Sequence, residues 1–359
     1  MRGRRVRGPV AGARLLETRI GDLSDTMRRR IFSLGIPAVS ALFAQPSQAG
    51  PTEAEPADRS LRRAILQADF ELSKFQPLSR ILFYDDFDNG LNGWAELQAN
   101  HNGNLDDLRP AMRDMRPPQL SNCGFFDIGG HGSLNGTYAL KLATRPRPFH
   151  TAAAIKRLTY AQPSLVQFEM YFSYKSEQTF GPARAWDGNV SPSEMDFGDF
   201  TISNDVCAGQ GGPRYMCALR YWNTDLNGKL VRKWTYKTSL HTTTKMSRSG
   251  LELQSIDYHV RNVTDWADVP GGSQALCYNE LATKINWHYL RWVFDTRERR
   301  NTELQVNELV MDLRSVPVLV YDQPYYSINH LLNFVLDVRT HTGVRNFLFV
   351  DSVLVSMEP

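Results

Sequence analysis

The sequence predicts an all-β fold, a sandwich of two packed antiparallel sheets, on three observations. The first is the stretch Asn286 to Leu313, NWHYLRWVFDTRERRNTELQVNELVMDL. His288, Leu290, Trp292 and Phe294 fall on one side of its first run, and Trp287, Tyr289, Arg291 and Asp295 on the other. Leu304 and Val306 share a side of the second run against Glu303, Gln305 and Asn307. Alternation of aromatic and β-branched residues at period two is the strand signature. The second observation is that about a dozen such runs, separated by turn signals, follow Arg80, which suits two packed sheets. The third is that helical signals are few and short, at Leu61, Ile65 and Leu66 ahead of the first strand and over Tyr321 to Leu332.

The chain has 359 residues, enough for one large or two ordinary domains, and sandwiches often exceed 200 residues as one unit. Hydrophobic residues make up 42% and charged residues 22%, a globular composition. The net charge of +3 comes from the first 49 residues, which carry nine Arg against three acids and leave 32 basic and 35 acidic residues elsewhere. The body is therefore not of the basic, nucleic-acid-binding type. Met27 to Ala49 runs from a basic start through a short apolar stretch to Ser47-Gln48-Ala49, the order of a secretory signal, and Arg29-Arg30-Ile31-Phe32 resembles a twin-arginine export signal. The apolar run is too short and too interrupted, at Pro37, to span a bilayer. The expected organisation is an upstream extension over 1–26, with Met27 an alternative start, a signal peptide over 27–49, a linker with a short helix over 50–78, and the sandwich over 79–359. Export, to the periplasm or outside the cell, makes disulfides available to the four cysteines, Cys123, Cys207, Cys217 and Cys277. Cys207 and Cys217 flank a Gly-Gln-Gly-Gly-Pro loop and are the favoured pair, the alternative being free buried thiols.

In order, the strand series opens with Ile81 to Phe87, which runs into Asp88-Asn89-Gly90 and Gly93-Trp94. Asn100 to Asn122 reads as loop. Asn135-Gly136 turns into Thr137 to Leu142, and Ala152 to Leu158 and Leu165 to Tyr174 follow. Phe180 to Ser193 is a long irregular loop. Phe197 to Ser203, Met216 to Asn223 and Leu230 to Ser239 are the next strands, the last two joined at Asn227-Gly228, the strongest hairpin turn in the chain. Lys245 to Asp268 has no clear period. Beyond the hairpin around His288, Tyr321 to Leu332 suggests a short helix, and Phe334 to Thr340 and Phe347 to Ser356 close the series.

The order W-H-x-L, a strand ending in Asp, then L-x-V-N and a further short strand resembles the concanavalin A-like lectin/glucanase superfamily. The opening ILFYDDF is similar to the first strand of many glycan-binding jelly rolls. Where many such domains turn on Asn-Gly, this chain has Asn307-Glu308. The resemblance implies a jelly-roll sandwich that binds or cuts a polysaccharide. It also implies that first and last strands are neighbours, so that Asp85, Asp86 and Asp88 with Asp351 hold a structural Ca2+ through hard oxygen ligands. The alternative is that these carboxylates only accept backbone hydrogen bonds.

Two constellations carry possible chemistry. Glu194-Met195-Asp196-Phe197-Gly198-Asp199 resembles the E-x-D-x-x-E signature of laminarinase-type glycoside hydrolases, with Asp199 in place of the last Glu. In an extended chain Glu194 and Asp196 share a face, and a retaining glycosidase needs two carboxylates about 5 Å apart. The hairpin Arg220 to Tyr236 offers Arg220 and Trp222 on one strand and Arg232, Trp234 and Tyr236 on the other, aromatic planes and guanidinium forks suited to an acidic glycan. Tyr278-Asn279-Glu280, Lys284, Asn286, Trp287 and His288 extend that groove. The alternative puts the Trp side chains in the core. HExxH, GxSxG, Walker A and strand-linked GxGxxG patterns are absent, as is the Gln-x-His strand of the alginate-lyase branch. The expectations are a glycan-binding module, a glycoside hydrolase or polysaccharide lyase, or a structural envelope or adhesion protein; the oligomeric state is not set by the sequence.

Overall fold

A computed structural model describes residues 56–96, 118–121, 132–160, 162–177, 193–207, 212–246, 250, 252–257, 265–280, 286–321 and 330–358. The chain divides into two units, Met1–Ala64 and Ile65–Pro359. Helix α1 spans Pro56–Ala68. The expected signal peptide and Cys123 lie outside the described residues.

The second unit is the expected all-β sandwich. Its first sheet runs, in order across the sheet, β15 (Leu309–Asp312), β14 (Arg300–Val306), β13 (His288–Asp295), β6 (Leu165–Ser176), β18 (Asn346–Glu358), β4 (Ala139–Ala143) and β3 (Gln119–Ser121), with β1 (Arg80–Asp85) also paired to β18. Its second sheet runs β12 (Trp266–Ser273), β9 (Leu230–Lys237), β8 (Arg214–Thr224), β7 (Asp199–Cys207), β17 (Leu331–Arg339), β5 (Thr151–Thr159) and β2 (Trp94–Glu96), with β16 (Leu319–Val320) also paired to β8. A separate ribbon joins β10 (His241–Met246) to β11 (Glu252–Asp257). Pairing is antiparallel at the described ladders flanking the site, β7 with β8, β8 with β9 and β7 with β17.

Alternation builds the core. His288, Leu290, Trp292 and Phe294 of β13 point inward together, as do Leu304 and Val306 of β14. Inner faces meet ring to ring: Phe168 of β6 stacks on Phe334 of β17 at 4.6 Å between centroids, and Phe172 meets Phe200 of β7 at 4.9 Å. Asn307 supplies the positive φ that the β14–β15 turn needs, at 51°, which is why the pair Asn-Glu serves where Asn-Gly is common. Residues 245–268, without a clear period, contribute to β10, β11 and β12. Leu331 and Leu332 open β17 rather than ending a helix, and 322–329 lie outside the described residues.

The structure corrects the expected disulfide and separates the four aspartates. Cys207 stands opposite Arg214 while Cys217 stands opposite Asn204, three rungs away. An odd offset sends the two thiols to opposite faces of the sheet, and both are free. Three rungs of about 3.4 Å exceed the Cα separation a disulfide spans. The four aspartates do not form one ligand set either. Asp85 pairs with Val353, whose side chain is in the core, so Asp85 faces inward. Its Oδ1 accepts from the Phe87 N–H and Asn92 Nδ2, and Lys156 lies close enough for its charge to favour the carboxylate. Asp351 alternates with core residue Val350 and faces outward, where its Oδ2 accepts the N–H groups of Leu134 at 2.6 Å and Asn135 at 3.2 Å. Asp88 accepts the N–H groups of Thr137 and Tyr138, and Asp86 accepts that of Asp88. Among the described residues no group of three or more His, Cys, Asp or Glu side chains is placed to hold a metal ion. The four carboxylates thus engage separate partners on two faces of the sheet, although first and last strands are neighbours as the resemblance implied.

Candidate functional site

The outer face of the second sheet is set by alternation in five strands. In β7, Phe200, Ile202 and Val206 enter the core, so Asp199, Thr201 and Ser203 face out. In β8, Tyr215, Cys217, Leu219 and Tyr221 enter the core, so Ala218, Arg220 and Trp222 face out. The register then assembles two rows. Asp337 of β17, Thr201, Arg220, Thr235 of β9 and Asp268 of β12 form one. Arg339, Asp199, Trp222 and Lys233 form the next.

Arg220 is the centre of this face. Its guanidinium carbon lies 4.7 Å from the Trp222 ring and 4.3 Å from the Trp266 ring, and its Nε donates to Thr235 Oγ1 at 3.0 Å. Only 6% of the residue is exposed. Burial lowers its pKa, and the charge of Asp199 raises it again. Lys233 Nζ lies 5.3 Å from the Trp222 ring and 2.7 Å from Asp268. Thr201 Oγ1, Trp222 Nε1, Trp266 Nε1 and His341 Nδ1 are buried and have no hydrogen-bond partner among the described residues. Buried polar atoms are normally satisfied, so four on one face call for an explanation.

The acidic run does not lie along one strand. Glu194-Met195-Asp196 forms a 3-10 turn, and only Asp199 belongs to β7. Glu194 Oε1 accepts from Arg232 Nε at 2.9 Å and Nη2 at 2.7 Å. Burial raises the Glu194 pKa, and the hydrogen bonds and charge of Arg232 oppose that shift. Asp196 is buried, and its carbonyl accepts from Asn346 Nδ2. Asp199 Oδ2 accepts from His341 Nε2 at 2.8 Å. Glu194 is thus engaged by Arg232 and Asp199 by His341, and the run does not extend along one strand.

The hairpin divides as well. Trp222 and Arg220 lie on the outer face, but Trp234 is fully buried between Phe200 and Tyr221 and donates from Nε1 to Gln274 Oε1 at 3.0 Å. Tyr236 is half-buried against the same core. A bulge is the cause. Thr224 pairs with Leu230, so a regular ladder would set Trp222 against Arg232 and Trp234 beside Arg220. Instead Arg232 is the extra residue, at φ 51°, and Trp222 pairs with Lys233. A one-residue slip moves every later side chain to the other face. Trp287 packs against Phe347 and Phe349 on the first sheet, not on this face. His288 is buried between the sheets, with Nε2 2.9 Å from the Cys277 carbonyl and Nδ1 3.0 Å from Asn307 Nδ2, and burial lowers its pKa. Tyr278 and Asn279 are buried, and Asn286 donates to Asn279 Oδ1; Lys284 lies outside the described residues.

Sequence reasoning missed Thr201, Thr235, Lys233, Trp266 and His341. Strand alternation from Asp199 and Arg220 finds the two threonines, but nothing local ties His341 to a carboxylate 142 positions away.

The family model of a domain of unknown function, DUF6772, matches residues 62–359. No curated protein matches the chain. Among solved structures, a cellulose-induced protein, Cip1, is 11% identical, covering 76% of this chain and 96% of its own at a TM-score of 0.32. A mutant of the alginate lyase Aly36B in complex with an alginate trisaccharide is 9% identical over 67% of this chain and 98% of its own, at 0.33. The carbohydrate recognition domain of Emp47p is 9% identical over 67% and 89%, at 0.31. Likeness this slight carries no weight for function.

Proposed function

The chain belongs to the DUF6772 family, and we propose that the outer face of its second sheet binds an acidic polysaccharide. The observation that carries this reading is the Arg220 guanidinium, buried between two indoles with, among the described residues, one side-chain acceptor, at Nε. A buried cation needs compensation, and a guanidinium has five N–H donors in a fork that matches a carboxylate. The Thr201 hydroxyl and the two indole N–H groups, without partners among the described residues, supply contacts for sugar oxygens. The signal-like order of residues 27–49 supports the same reading, since export would give access to extracellular polysaccharide. Mature protein from the periplasm or medium is expected to start near Gly50; an intact Met1 or Met27 end in a cytosolic fraction counts against export.

The test of binding is affinity electrophoresis against uronate-bearing and neutral glycans. Arg220→Met keeps length without charge and is expected to weaken uronate binding at least tenfold, about 1.5–3 kcal/mol for a hydrogen bond to a charged group. Trp222→Ala is expected to weaken it as well, with the melting temperature little changed. Uronate binding insensitive to both variants overturns the proposal. Cleavage is the second reading, favoured by the hydrogen-bonded pair Asp199–His341 on the same face.

A further inference from the structure

Asp199 and His341 form a constellation that binding alone leaves unused. Asp199 opens β7, and His341 follows the end of β17, whose Arg339 pairs with Asp199. With Nε2 donating to the carboxylate at 2.8 Å, Nδ1 is the accepting nitrogen of the neutral ring. That nitrogen is buried and has no partner among the described residues. The side chains of His341 and Asp199 are 4% and 0% exposed. Gly198 leaves space for the imidazole: a Cβ there would lie 3.0 Å from His341 Cδ2. Arg220 stands one row from Asp199, near enough that the carboxylate's charge acts on the guanidinium.

We propose that His341, oriented by Asp199, and Arg220 form a site for β-elimination on uronate-containing polysaccharides. The proposal rests on the acidic-glycan reading above and adds the reaction. Arg220 pairs with the uronate carboxylate and stabilises the negative charge that develops on it. His341 Nδ1 takes the proton α to that carboxylate. The electron pair left on the α-carbon forms a double bond to the β-carbon, and the bond from the β-carbon to the glycosidic oxygen breaks. The imidazolium, stabilised by Asp199, returns its proton to the departing oxygen. One chain ends in a hydroxyl, the other in an unsaturated uronate, and no water is consumed.

Hydrolysis suits the face less well. It needs two carboxylates at the scissile bond. Here Glu194 is held by Arg232 and Asp199 by His341. A base and a carboxylate anchor that both neighbour Asp199 instead match the acidity of a proton α to a carboxylate.

The full chain is incubated with polyuronates and with neutral glycans, and binding, new chain ends and the ultraviolet absorbance of the unsaturated uronate are followed separately. The expected result is unsaturated ends from polyuronates alone. His341→Gln keeps an N–H for Asp199 and is expected to lower kcat by roughly 10²–10⁴-fold at unchanged KM. Asp199→Asn, which disfavours the reactive tautomer, is expected to lower kcat at unchanged KM and to alter its pH profile, which a merely structural role would not do. Uronate binding without cleavage overturns this inference and leaves the binding proposal standing. New ends without the unsaturated chromophore also overturn it, in favour of hydrolysis. Absence of both binding and cleavage overturns both. The wild-type product decides the reaction even if a variant fails to fold.

Discussion

Gly198 has no room for a side chain. A Cβ at this position would lie 2.5 Å from the Arg339 carbonyl and 3.0 Å from the His341 ring, and the first of these is backbone that cannot rotate away. The residue is further pinned by its N–H, which donates to Asn346 Oδ1, and by its carbonyl, which accepts from Asn223 and Thr224. Gly198→Ala is therefore expected to cost roughly 1–3 kcal/mol, the usual range for overpacking. Gly343→Ala is the control, since nothing lies within 4 Å of its added Cβ, and it is expected to stay within about 0.5 kcal/mol of wild type. Urea unfolding of the two variants measures both, and equal stabilities would remove the steric argument. Trp234 tests the opposite condition, a large side chain with no exposure. Trp234→Ala is expected to cost roughly 3–5 kcal/mol, where Trp222→Ala on the outer face costs far less.

At the scale of the element, the β9 bulge decides what the hairpin displays. Alternation was legible in the sequence, and so were the Asn227-Gly228 turn and the inward set of β13. The parity of β9 relative to β8 was not, because one residue with positive φ inverts it, and Arg232 is not a residue type that announces positive φ. The pairing of Glu194 with Arg232 was hidden for the same reason: the 3-10 turn of Glu194 to Asp196 and the bulge reach each other only through the fold. Removing the cation isolates its part. Arg232→Ala leaves Glu194, 5% exposed, without its partner, and the expected loss at neutral pH is roughly 1–3 kcal/mol, below the full range for a buried pair because Arg232 is itself partly solvated. Burial already raises Glu194 above its ordinary 4.5, and loss of Arg232 raises it further. A raised carboxyl group destabilises the fold only where the unfolded chain is ionised. The deficit is therefore expected to shrink as pH falls toward 4.5, and adding Glu194→Gln is expected to restore stability at neutral pH. A deficit that is the same at every pH would show that the bulge geometry, not the charge, is what Arg232 supplies.

At the scale of the whole molecule, the last strand closes the first sheet. β18 lies between β6 and β4 and also pairs with β1, so the centre of that sheet joins segments far apart in sequence. Chain ahead of β1 is fastened to the same strand, where Lys74 Nζ donates to Ser352 Oγ at 2.6 Å and the Leu78 N–H donates to Ser356 Oγ at 3.0 Å. Asp351 sits within this junction. Burial pushes its carboxyl up from 3.8 to about 6, against the opposing effects of the Asn135 and Leu134 N–H groups and the charge of Lys74. Below 3.8 the group is protonated in both folded and unfolded chains and contributes nothing to the pH dependence. Between 3.8 and about 6 the unfolded chain has lost a proton that the folded chain retains, so stability falls as pH rises. Above about 6 the penalty is complete, at up to roughly 3 kcal/mol for a shift of about two units. Asp351→Asn keeps an oxygen to accept the Leu134 and Asn135 N–H groups but cannot ionise. The variant is expected to gain stability on wild type progressively through that window and to hold a constant advantage above it. Urea unfolding of the pair at a series of pH values measures the difference. A difference that does not change with pH would mean that Asp351 ionises in the folded chain as readily as in the unfolded one, with Lys74 and the two N–H groups fully offsetting its burial.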